Sequence, residues 1–485
     1  MNRAMIRYVL GGVLKIEAIL MLLPFIVSLL YRESNGKWFV IVAAASLILG
    51  VVLSIKKPVD QVFYLKEGCL ITALSWILMS VVGCLPFYFS GEIPSFTDAL
   101  FETISGFTTT GASILNDIEA MSKGMLFWRS FTHWIGGMGV LVFLLAIIPM
   151  SGGSNINLMR AESPGPSVGK LVPKIKYTAQ ILYIIYFAIT VIEFIALVIA
   201  KMNAFEAICT AVGTAGTGGF GVLNDSFMSY NATQQWIVTI FMILFGVNFN
   251  FYYLILFRQI GKAVKMEEVR IYFIIILAAI VMLMFDTIHI YGTFGEALTH
   301  SAFQVATIIT TTGFSSTDFD LWSQASRTIL VILMFIGACA GSTGGGIKVS
   351  RFVISFKAFF KEIGSYIHPK SIKKIKMDDK PVEHEVIRSV NVYFMTFFFL
   401  FTASVLLVSI EGHDLVTNFT AVAATINNIG PGLELVGPTC NFSFFGVFTK
   451  YILMFDMLAG RLELFPLLIL FTPRIWMDMA KRSNH

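Results

Sequence analysis

Four stretches of the chain repeat one pattern, and this repetition limits the possible folds more than any other feature. Each copy has a short apolar segment, then threonines or asparagines, then a turn with glycine. The clearest copy is 302–318, AFQVATIITTTGFSSTD; the others contain SGFTTTGASILND (97–117), AVGTAGTGGFGVLND (203–225) and AATINNIGPGLEL (415–435). Aligning the turns brings Gly111, Gly219, Gly313 and Gly430 into register, at intervals of 108, 94 and 117 residues. A unit of about a hundred residues therefore occurs four times.

The composition places these units in a membrane. Hydrophobic residues make up 56% of the chain and charged residues 13%, whereas a soluble domain has about 25% charged residues. Apolar runs of roughly the length that spans a bilayer predict ten membrane spans: 8–30, 39–55, 69–89, 126–150, 177–200, 236–257, 271–289, 329–360 with an interruption, 390–410 and 444–471. The first run lacks a cleavage site, so we interpret it as a retained helix.

The predicted fold is an all-α polytopic membrane protein. Four pseudo-repeated helix–pore-loop–helix units surround one pore and follow two N-terminal helices. The predicted boundaries are 1–57 for the N-terminal helices, 58–150 for repeat 1, 151–257 for a linker and repeat 2, 258–360 for a connector and repeat 3, and 361–485 for a basic linker and repeat 4.

Lysines and arginines predict the orientation, because they are enriched in short cytoplasmic loops. They cluster in the loops that alternate with the repeated turns: Lys56, Lys57 and Lys66; Arg160, Lys170, Lys174 and Lys176; Arg258, Lys262, Lys265 and Arg270; and residues 357–388. The turns are therefore predicted to open outward, with both termini in the cytoplasm. The net charge of +5 then reflects topology and does not indicate nucleic-acid binding.

The repeated turns predict a cation site. Non-helical backbone at membrane depth persists only where protein buries it or water lines it, so four such turns imply a shared polar cavity. Short helices at 95–105, 204–212, 294–308 and 416–425 would point their C-terminal ends, each with about half a negative charge, at that cavity. Glycine permits positive φ, which lets carbonyl groups turn toward one axis. The alternative for any single copy is a packing turn of small residues.

The candidate cation ligands are backbone carbonyls and threonine hydroxyls of the four turns. In the second copy Gly218 and Gly219 both fit the register, and alignment of the following residues favours Gly219. The full candidate set is Thr109, Thr110, Gly111, Gly218, Gly219, Thr311, Thr312, Gly313, Asn428, Ile429 and Gly430. Acidic residues just outside the turns could concentrate cations: Asp117, Glu119, Asp225, Asp318, Asp320 and Glu434.

Two features interrupt the later spans. Residues 337–348, GACAGSTGGGIK, contain five glycines, each of which costs about 1 kcal/mol inside a helix, so they predict an unwound, mobile loop; close helix packing through small residues is the alternative. Arg461 lies in the middle of the last span, where a charge costs about 2.5–3.5 kcal/mol. It is either an electrostatic barrier or a structural arginine bonded to helix-end carbonyls or to Asp456.

The repeated turns, NNIGPG at 427–432, the glycine-rich break at 337–346 and GRLELFP at 460–466 resemble the Trk/Ktr/HKT family of potassium transporters. The two extra N-terminal helices are more similar to the bacterial Trk-type membrane subunit than to the Ktr type. The resemblance implies potassium uptake across a bacterial plasma membrane, potassium as the transported ligand, no organic cofactor, and a homodimer. It also implies gating by a cytoplasmic nucleotide-binding, TrkA-like subunit and a gate just below the filter. The candidate gate residues are Gly341, Gly344, Gly345, Gly346, Lys348 and Arg461.

Two other classes are less consistent with the sequence. A sodium- or proton-coupled secondary transporter usually has inverted repeats and ionisable residues at the midplane, whereas these repeats share one orientation. An enzyme would need a paired nucleophile and base or a metal-ligand set, and the sequence indicates neither. The histidines His133, His289, His300 and His413 occur singly, and we interpret each as a residue at a helix end.

Overall fold

The computed structural model describes residues 2–58, 64–139, 175–368 and 374–480, and this part of the chain is almost entirely helical. Its only strands, Lys376–Met377 and Lys380–Pro381, form a short antiparallel hairpin. Six helical stretches are long and apolar enough to cross a membrane: Arg3–Leu30, Ser34–Ser54, Leu65–Ser90, Ala179–Ile199, Glu267–Tyr291 and His384–Glu411. The prediction of an all-helical polytopic chain is confirmed.

The N-terminal helices form a tight pair outside the repeats. The first consists of Arg3–Leu20 and Leu22–Leu30, and the second is Lys37–Ser54. The two backbones meet at Gly11 and Gly50: a Cβ atom added to Gly11 would lie 2.7 Å from the carbonyl oxygen of Gly50. Small residues allow this close approach. Helix association in a membrane depends on such packing, because there is no hydrophobic driving force between helices in lipid. The pair packs against Leu65–Ser90, the first helix of repeat 1.

Each repeat contains a long first helix, a short re-entrant helix and a second helix. The first helices are Leu65–Ser90, Ile175–Ile199, Glu267–Tyr291 and His384–Val408. Re-entrant helices 1 to 4 are Phe96–Phe107, Ala204–Gly216, Phe294–Ile309 and Leu415–Ile426. The second helices are Lys123–Gly137, Ala232–Phe245 with Phe249–Leu256, Gln324–Ile336 with Val349–Ile367, and Val447–Arg461. Three short helices, Ile260–Val264, Phe465–Leu468 and Pro473–Ala480, complete the set of α-helices in the described residues.

The four re-entrant helices begin in the same way. A polar side chain at each N-cap, Ser95, Asn203, Thr293 or Asp414, accepts a hydrogen bond from a backbone N–H of the first turn. Such caps each stabilise a helix by about 1 kcal/mol. The caps fix where these short helices start, and all four predicted helical segments are helical.

The second helices are less regular than the predicted spans. The span predicted at 236–257 bends by 88° between Phe245 and Phe249. Gly246 lies under the Tyr272 hydroxyl, where an added Cβ would be 2.3 Å away, and Asn248 caps the next helix by accepting from Asn250 N at 2.9 Å. The spans predicted at 329–360 and 444–471 are interrupted after Ile336 and after Arg461. Most of the predicted linker (151–176) and the end of the fourth span (126–150) lie outside the described residues.

Candidate functional site, a ring of four loops

A loop of four residues follows each re-entrant helix or overlaps its last turn. We call residues 108–111, 216–219, 310–313 and 427–430 ring loops 1 to 4. In every ring loop the second and fourth residues have positive φ: Thr109 and Gly111, Thr217 and Gly219, Thr311 and Gly313, Asn428 and Gly430. The third residue does not. The structure therefore places Gly219, and not Gly218, in register with the other three glycines.

Positive φ at threonine is costly. Thr109, Thr217 and Thr311 have φ of 55°, 55° and 59°, and a β-branched residue rarely adopts this conformation. Such positions cost about 1–3 kcal/mol each and tend to occur at functional sites. Because these three outliers lie at equivalent positions in three repeats, they support the hypothesis that the ring loops form a functional site.

The four glycines close the ring. A Cβ atom added to Gly111 would lie 2.1 Å from the carbonyl oxygen of Gly218, and one on Gly219 would lie 2.0 Å from that of Thr312. Likewise, a Cβ atom added to Gly313 would lie 2.0 Å from the carbonyl oxygen of Ile429, and one on Gly430 would lie 2.8 Å from that of Thr110. Each loop thus places the carbonyl before its own glycine against the glycine of another loop. The loops follow one another around the ring in chain order.

Hydroxyl groups hold the loops in shape. Thr110 Oγ1 lies 2.8 Å from Thr108 Oγ1, and Thr312 Oγ1 lies 2.7 Å from Thr310 Oγ1. Asn428 Nδ2 donates to Thr110 Oγ1 at 3.0 Å and joins loop 4 to loop 1. The threonine and asparagine side chains of these loops are fully buried. The hydroxyl groups of the two threonine pairs are engaged with each other, whereas the Thr109 hydroxyl and the side-chain oxygens of Asn427 and Asn428 are buried without a hydrogen-bond partner.

A buried ion pair supports the ring on the side of repeat 1. Glu102, on re-entrant helix 1, accepts from Arg129 Nε at 2.6 Å and from the N–H of Ile114 at 3.0 Å. Arg129 also donates to the Gly221 carbonyl at 2.8 Å, and its guanidinium lies 3.6 Å from the centre of the Phe220 ring. One charge pair therefore connects the loops of repeats 1 and 2.

Glu102→Gln is expected to lower the free energy of unfolding by about 3–5 kcal/mol, because Arg129 would remain buried without its counter-charge. The measurement is thermal unfolding of the purified protein in detergent. Glu385→Gln is the control with the same substitution: Glu385 lies 3.8 Å from Arg388, and both side chains are exposed, at 81% and 78%, so the control should lose at most about 1 kcal/mol. Equal losses in the two variants would contradict the assignment.

Some of the acidic residues beyond the ring loops are partly neutralised. Arg327 lies 3.3 Å from Asp320 and 2.5 Å from Glu434. Burial raises the pKa of Asp320 to about 6, although Arg327 acts in the opposite direction. A hydrogen bond from Asn224 lowers the pKa of Asp117. This region is therefore less negative beside repeats 3 and 4, whereas Asp117 stays ionised. These acids also connect repeat 1 to repeat 2 and repeat 3 to repeat 4.

The interrupting segment, residues 337–348, folds as a loop directly against the ring. Gly345 N donates to Thr311 Oγ1 at 2.6 Å. An added Cβ at Gly344 would lie 2.8 Å from the Thr310 carbonyl, and one at Gly345 would lie 2.5 Å from the Asn427 carbonyl. The loop therefore touches ring loops 3 and 4 through glycines, which allow this approach because they have no side chain.

The bent helix and one carboxylate anchor the loop at its base. Glu268 accepts from Ala340 N at 2.6 Å and from Ser350 N at 3.2 Å. Backbone groups left free by the bend also bond to the loop: the Gly246 carbonyl accepts from Cys339 N at 3.1 Å, and Phe249 N donates to the Gly341 carbonyl at 3.0 Å. The bend in repeat 2 thus provides the backbone groups that hold the loop of repeat 3.

Arg461 braces the tip of this loop. Its Nη1 donates to the Thr343 carbonyl at 2.8 Å, and its Nη2 donates to the Gly137 carbonyl at 2.8 Å and to the Gly136 carbonyl. Asp456, the alternative partner, instead accepts from Ser404 at 2.7 Å. Arg461 thereby connects the loop of repeat 3 to the second helix of repeat 1.

A cavity of about 100 Å³ lies beside the loop, and all four repeats line it. Its lining includes residues 137–139 of repeat 1, Phe249 of repeat 2, much of the loop, and residues 460–463 of repeat 4. Lys348 also faces this cavity and donates to the Gly344 carbonyl. The loop therefore contacts the ring and also lines this cavity, and Arg461 lines the cavity beside it.

The structure brings together all the predicted site residues, in two adjoining groups, the ring and the loop beneath it. The candidate set predicted from the sequence did not include Thr217. Alignment of GTGG (216–219) with TTTG (108–111 and 310–313) would have identified it. The prediction also missed Glu268 and the bend at 246–248, for which Gly246 and Asn248 were weak signals. The interpretation of His133 as a helix-end residue is wrong, because His133 is fully buried within the second helix of repeat 1.

The fold and the ring define a class: an all-helical polytopic membrane protein in which four related re-entrant units surround one axis. A family model described as TrkH, cation transport protein, matches residues 35–478. The Trk system potassium uptake protein TrkH of Salmonella typhimurium is 36% identical over 94% of this chain and 96% of its own length. TrkG of Escherichia coli K12 is 33% identical over 98% of this chain and 100% of its own length.

A solved structure gives the same result. The crystal structure of the potassium transporter TrkH from Vibrio parahaemolyticus superposes with a TM-score of 0.88, at 31% identity, over 98% of this chain and 100% of that one. The chain belongs to the TrkH family of cation transport proteins. The family resemblance and the fold class predicted from the sequence are confirmed.

Proposed function

We propose that this protein takes up potassium across the bacterial plasma membrane through one pore at the centre of the four repeats. The closed ring of four loops, each with positive φ at its second and fourth residues, carries the proposal. Rings of backbone carbonyls that replace the hydration water of the ion are how a potassium filter works. The printed names of the relatives, Trk system potassium uptake proteins, support the choice of ion.

The filter function follows from the chemistry of the ring. The carbonyl oxygens of Thr110, Gly218, Thr312 and Ile429 each lie against the glycine of a neighbouring loop, and in this proposal they supply the oxygen ligands of the ion. The four re-entrant helices end at these loops, and each helix C-terminus contributes about half a negative charge. A dehydrated cation at the centre gains oxygen ligands and four favourable dipoles, whereas an anion is repelled. The ring needs no carboxylate for this role.

The loop at 337–348 and Arg461 form the gate in this proposal. The loop contacts ring loops 3 and 4, and Arg461 places a positive charge beside the loop, at the cavity. A cation leaving the ring meets both a steric and an electrostatic barrier. The two glycines at the neck of the loop, Gly337 and Gly346, are in close contact, so the part between them can move while the flanking helices remain fixed.

A sodium- or proton-coupled transporter is the alternative function. Glu193 and Asp456 are fully buried within first and second helices of the repeats, and Glu17 is buried in the N-terminal pair. Buried acids in membrane helices are costly and often carry protons or ions. In this alternative, these three acids would carry the coupling ion.

We further propose that both termini are cytoplasmic, that the protein is a homodimer, and that a separate nucleotide-binding subunit docks on the basic face. The hairpin at 376–381 supports this docking face. Lys357 donates to the Lys376 carbonyl at 2.7 Å and pairs with Glu267 at 2.5 Å, and Asp378 accepts from Glu267 N at 2.7 Å. The hairpin is therefore held against the helices at Lys357 and Glu267.

The test is ion flux into lipid vesicles that contain the purified chain, with and without its regulatory subunit and nucleotide. Potassium influx that needs no sodium or proton gradient, exceeds sodium influx and changes when subunit and nucleotide are added is the expected result. Influx that stops when both gradients are removed would favour the coupled alternative. Absence of any cation flux in either arrangement would contradict the proposal.

A further inference from the structure

Ring loop 2 differs from the other three in its side chains. The third position of the ring loops carries Thr110, Thr312 and Ile429 in loops 1, 3 and 4 but glycine, Gly218, in loop 2. Gly218 does not have positive φ, so its backbone conformation does not require glycine. The threonine pair that fixes loops 1 and 3 is also absent, because Gly216 occupies the other position of that pair. Something else must fix loop 2.

His133 occupies the missing space. The three atoms nearest to a Cβ added at Gly218 all belong to the His133 imidazole, the first at 2.0 Å. A Cβ added at Gly216 would lie 2.1 Å from the His133 carbonyl oxygen. Both glycines of loop 2 are therefore explained by one residue of repeat 1. The imidazole fills the volume that side chains fill in the other loops.

The imidazole also makes the missing hydrogen bonds. His133 Nδ1 lies 2.7 Å from the Gly106 carbonyl, near the end of re-entrant helix 1, and Phe220 N donates to His133 Nε2 at 3.3 Å. A carbonyl can only accept and an N–H can only donate, so the partners fix one neutral tautomer. The imidazole ring packs 4.2 Å from the Phe220 ring. His133 thus joins the helix that leads into loop 1 to the residue that follows loop 2.

We infer that His133 is a positioning residue that sets the spacing of ring loops 1 and 2, and with it the preference for potassium over sodium. The inference rests on the proposed filter function. Discrimination between the two ions depends on where the carbonyl oxygens are held. The carbonyl of Gly218 lies against Gly111, so a shift of loop 2 away from His133 changes this contact directly. Asn428 makes the corresponding connection between loops 4 and 1 through its side chain.

The first test compares His133→Leu with His133→Gln in the vesicle flux assay. Leucine has a similar volume but no hydrogen-bonding group, and it should lower the potassium-to-sodium flux ratio by roughly fivefold, the effect of losing one buried hydrogen bond. Glutamine keeps a donor and an acceptor and should retain most of the ratio. A purely structural role would lower the amount of folded protein in both variants and leave the ratio per folded molecule unchanged. An unchanged ratio in His133→Leu would overturn the inference.

The second test is a double-mutant cycle between His133 and Gly218. Its first arm, Gly218→Ala, keeps His133 intact and therefore also applies if His133→Leu does not fold. Gly218→Ala alone places a methyl group against the imidazole and should lower the flux ratio by about fivefold or more. In the His133→Ala background the same change should have at most about a twofold effect, because the space is open. Equal effects in both backgrounds would show that the two residues do not interact.

The experiments can distinguish an incorrect role for His133 from an incorrect filter proposal. A substitution at Gly313, in ring loop 3, tests the filter without touching His133. If Gly313→Ser lowers the flux ratio while Gly218→Ala and His133→Leu do not, the filter stands and the role of His133 is wrong. If none of the three variants changes the ratio, the ring is not the filter and both proposals fall.

Discussion

Gly313→Ser is expected to reduce the potassium-to-sodium flux ratio by at least about tenfold. Gly313 has a φ of +89°, and an added Cβ would lie 2.0 Å from the Ile429 carbonyl. A left-handed conformation costs a non-glycine residue about 1–2 kcal/mol, and about 1.4 kcal/mol corresponds to a tenfold change in binding. The overlap with the carbonyl adds to this cost, because the ring must open to admit the side chain.

Gly295→Ser is the matched control for this experiment. Gly295 lies in the first turn of the same re-entrant helix, and a Cβ added there would meet no atom within 4 Å. Its φ is not positive, so serine should leave both flux and selectivity unchanged. Flux is compared at equal amounts of folded protein in the vesicles. A Gly313→Ser protein that folds and keeps the parent flux ratio would remove Gly313 from the filter.

Deletion of residues 342–345 is expected to raise potassium flux severalfold without changing which ion is preferred. These residues contact Thr311 in ring loop 3 and Arg461 in repeat 4. The neck of the loop stays outside the deletion: Lys348 N donates to the Ile336 carbonyl at 3.0 Å, and Gly337 touches Gly346. The two flanking helices should therefore keep their positions while the barrier below the ring is lost.

Ser342→Ala is the control for the deletion. The Ser342 hydroxyl bonds only within the loop, to the Cys339 carbonyl and to Gly344 N, so its loss should leave the contacts with the ring and with Arg461 in place. Flux at the parent level in the deletion variant would show that the gate lies elsewhere. A changed ion preference would indicate that the loop is part of the filter.

Two substitutions of Arg461 test whether the proposed barrier is electrostatic or steric. Arg461→Gln removes the charge but keeps a donor for the Thr343 carbonyl, and it should raise flux. Arg461→Lys keeps the charge and should retain low flux. If both variants fail to fold, the three carbonyl contacts of Arg461 are mainly a brace. Equal flux in glutamine and lysine variants that fold would exclude an electrostatic barrier.

Much of the fold could be predicted from the sequence because its signals are local. The four re-entrant helices have polar N-caps and apolar faces, and their predicted bounds differ from the observed ones by a few residues. The glycines of the ring loops were recognisable because positive φ excludes most other residues at those positions. The hydrophobic length that spans a bilayer identified the long first helices.

The details of the second helices could not be predicted in this way. The bend at 246–248 depends on the Tyr272 hydroxyl from another helix, and the loop at 337–348 is held by Glu268 and by carbonyls of repeat 2. These contacts join residues that are tens of residues apart in the chain. A hydropathy pattern records none of them, so the span at 236–257 looked continuous.

The sequence by itself determined the membrane environment, the number of repeats and the register of Gly111, Gly219, Gly313 and Gly430. These properties follow from composition, periodicity and the conformational freedom of single residues. Only the tertiary structure decided how the loops meet, with the carbonyl before each glycine against the glycine of another loop. It also decided that Arg461 bonds to helix-end carbonyls and not to Asp456. Finally, it placed His133 in the space that a side chain at Gly218 would occupy. The physical reason is that each of these features depends on distances between atoms of different repeats. Such distances are fixed only when all four repeats pack around one axis.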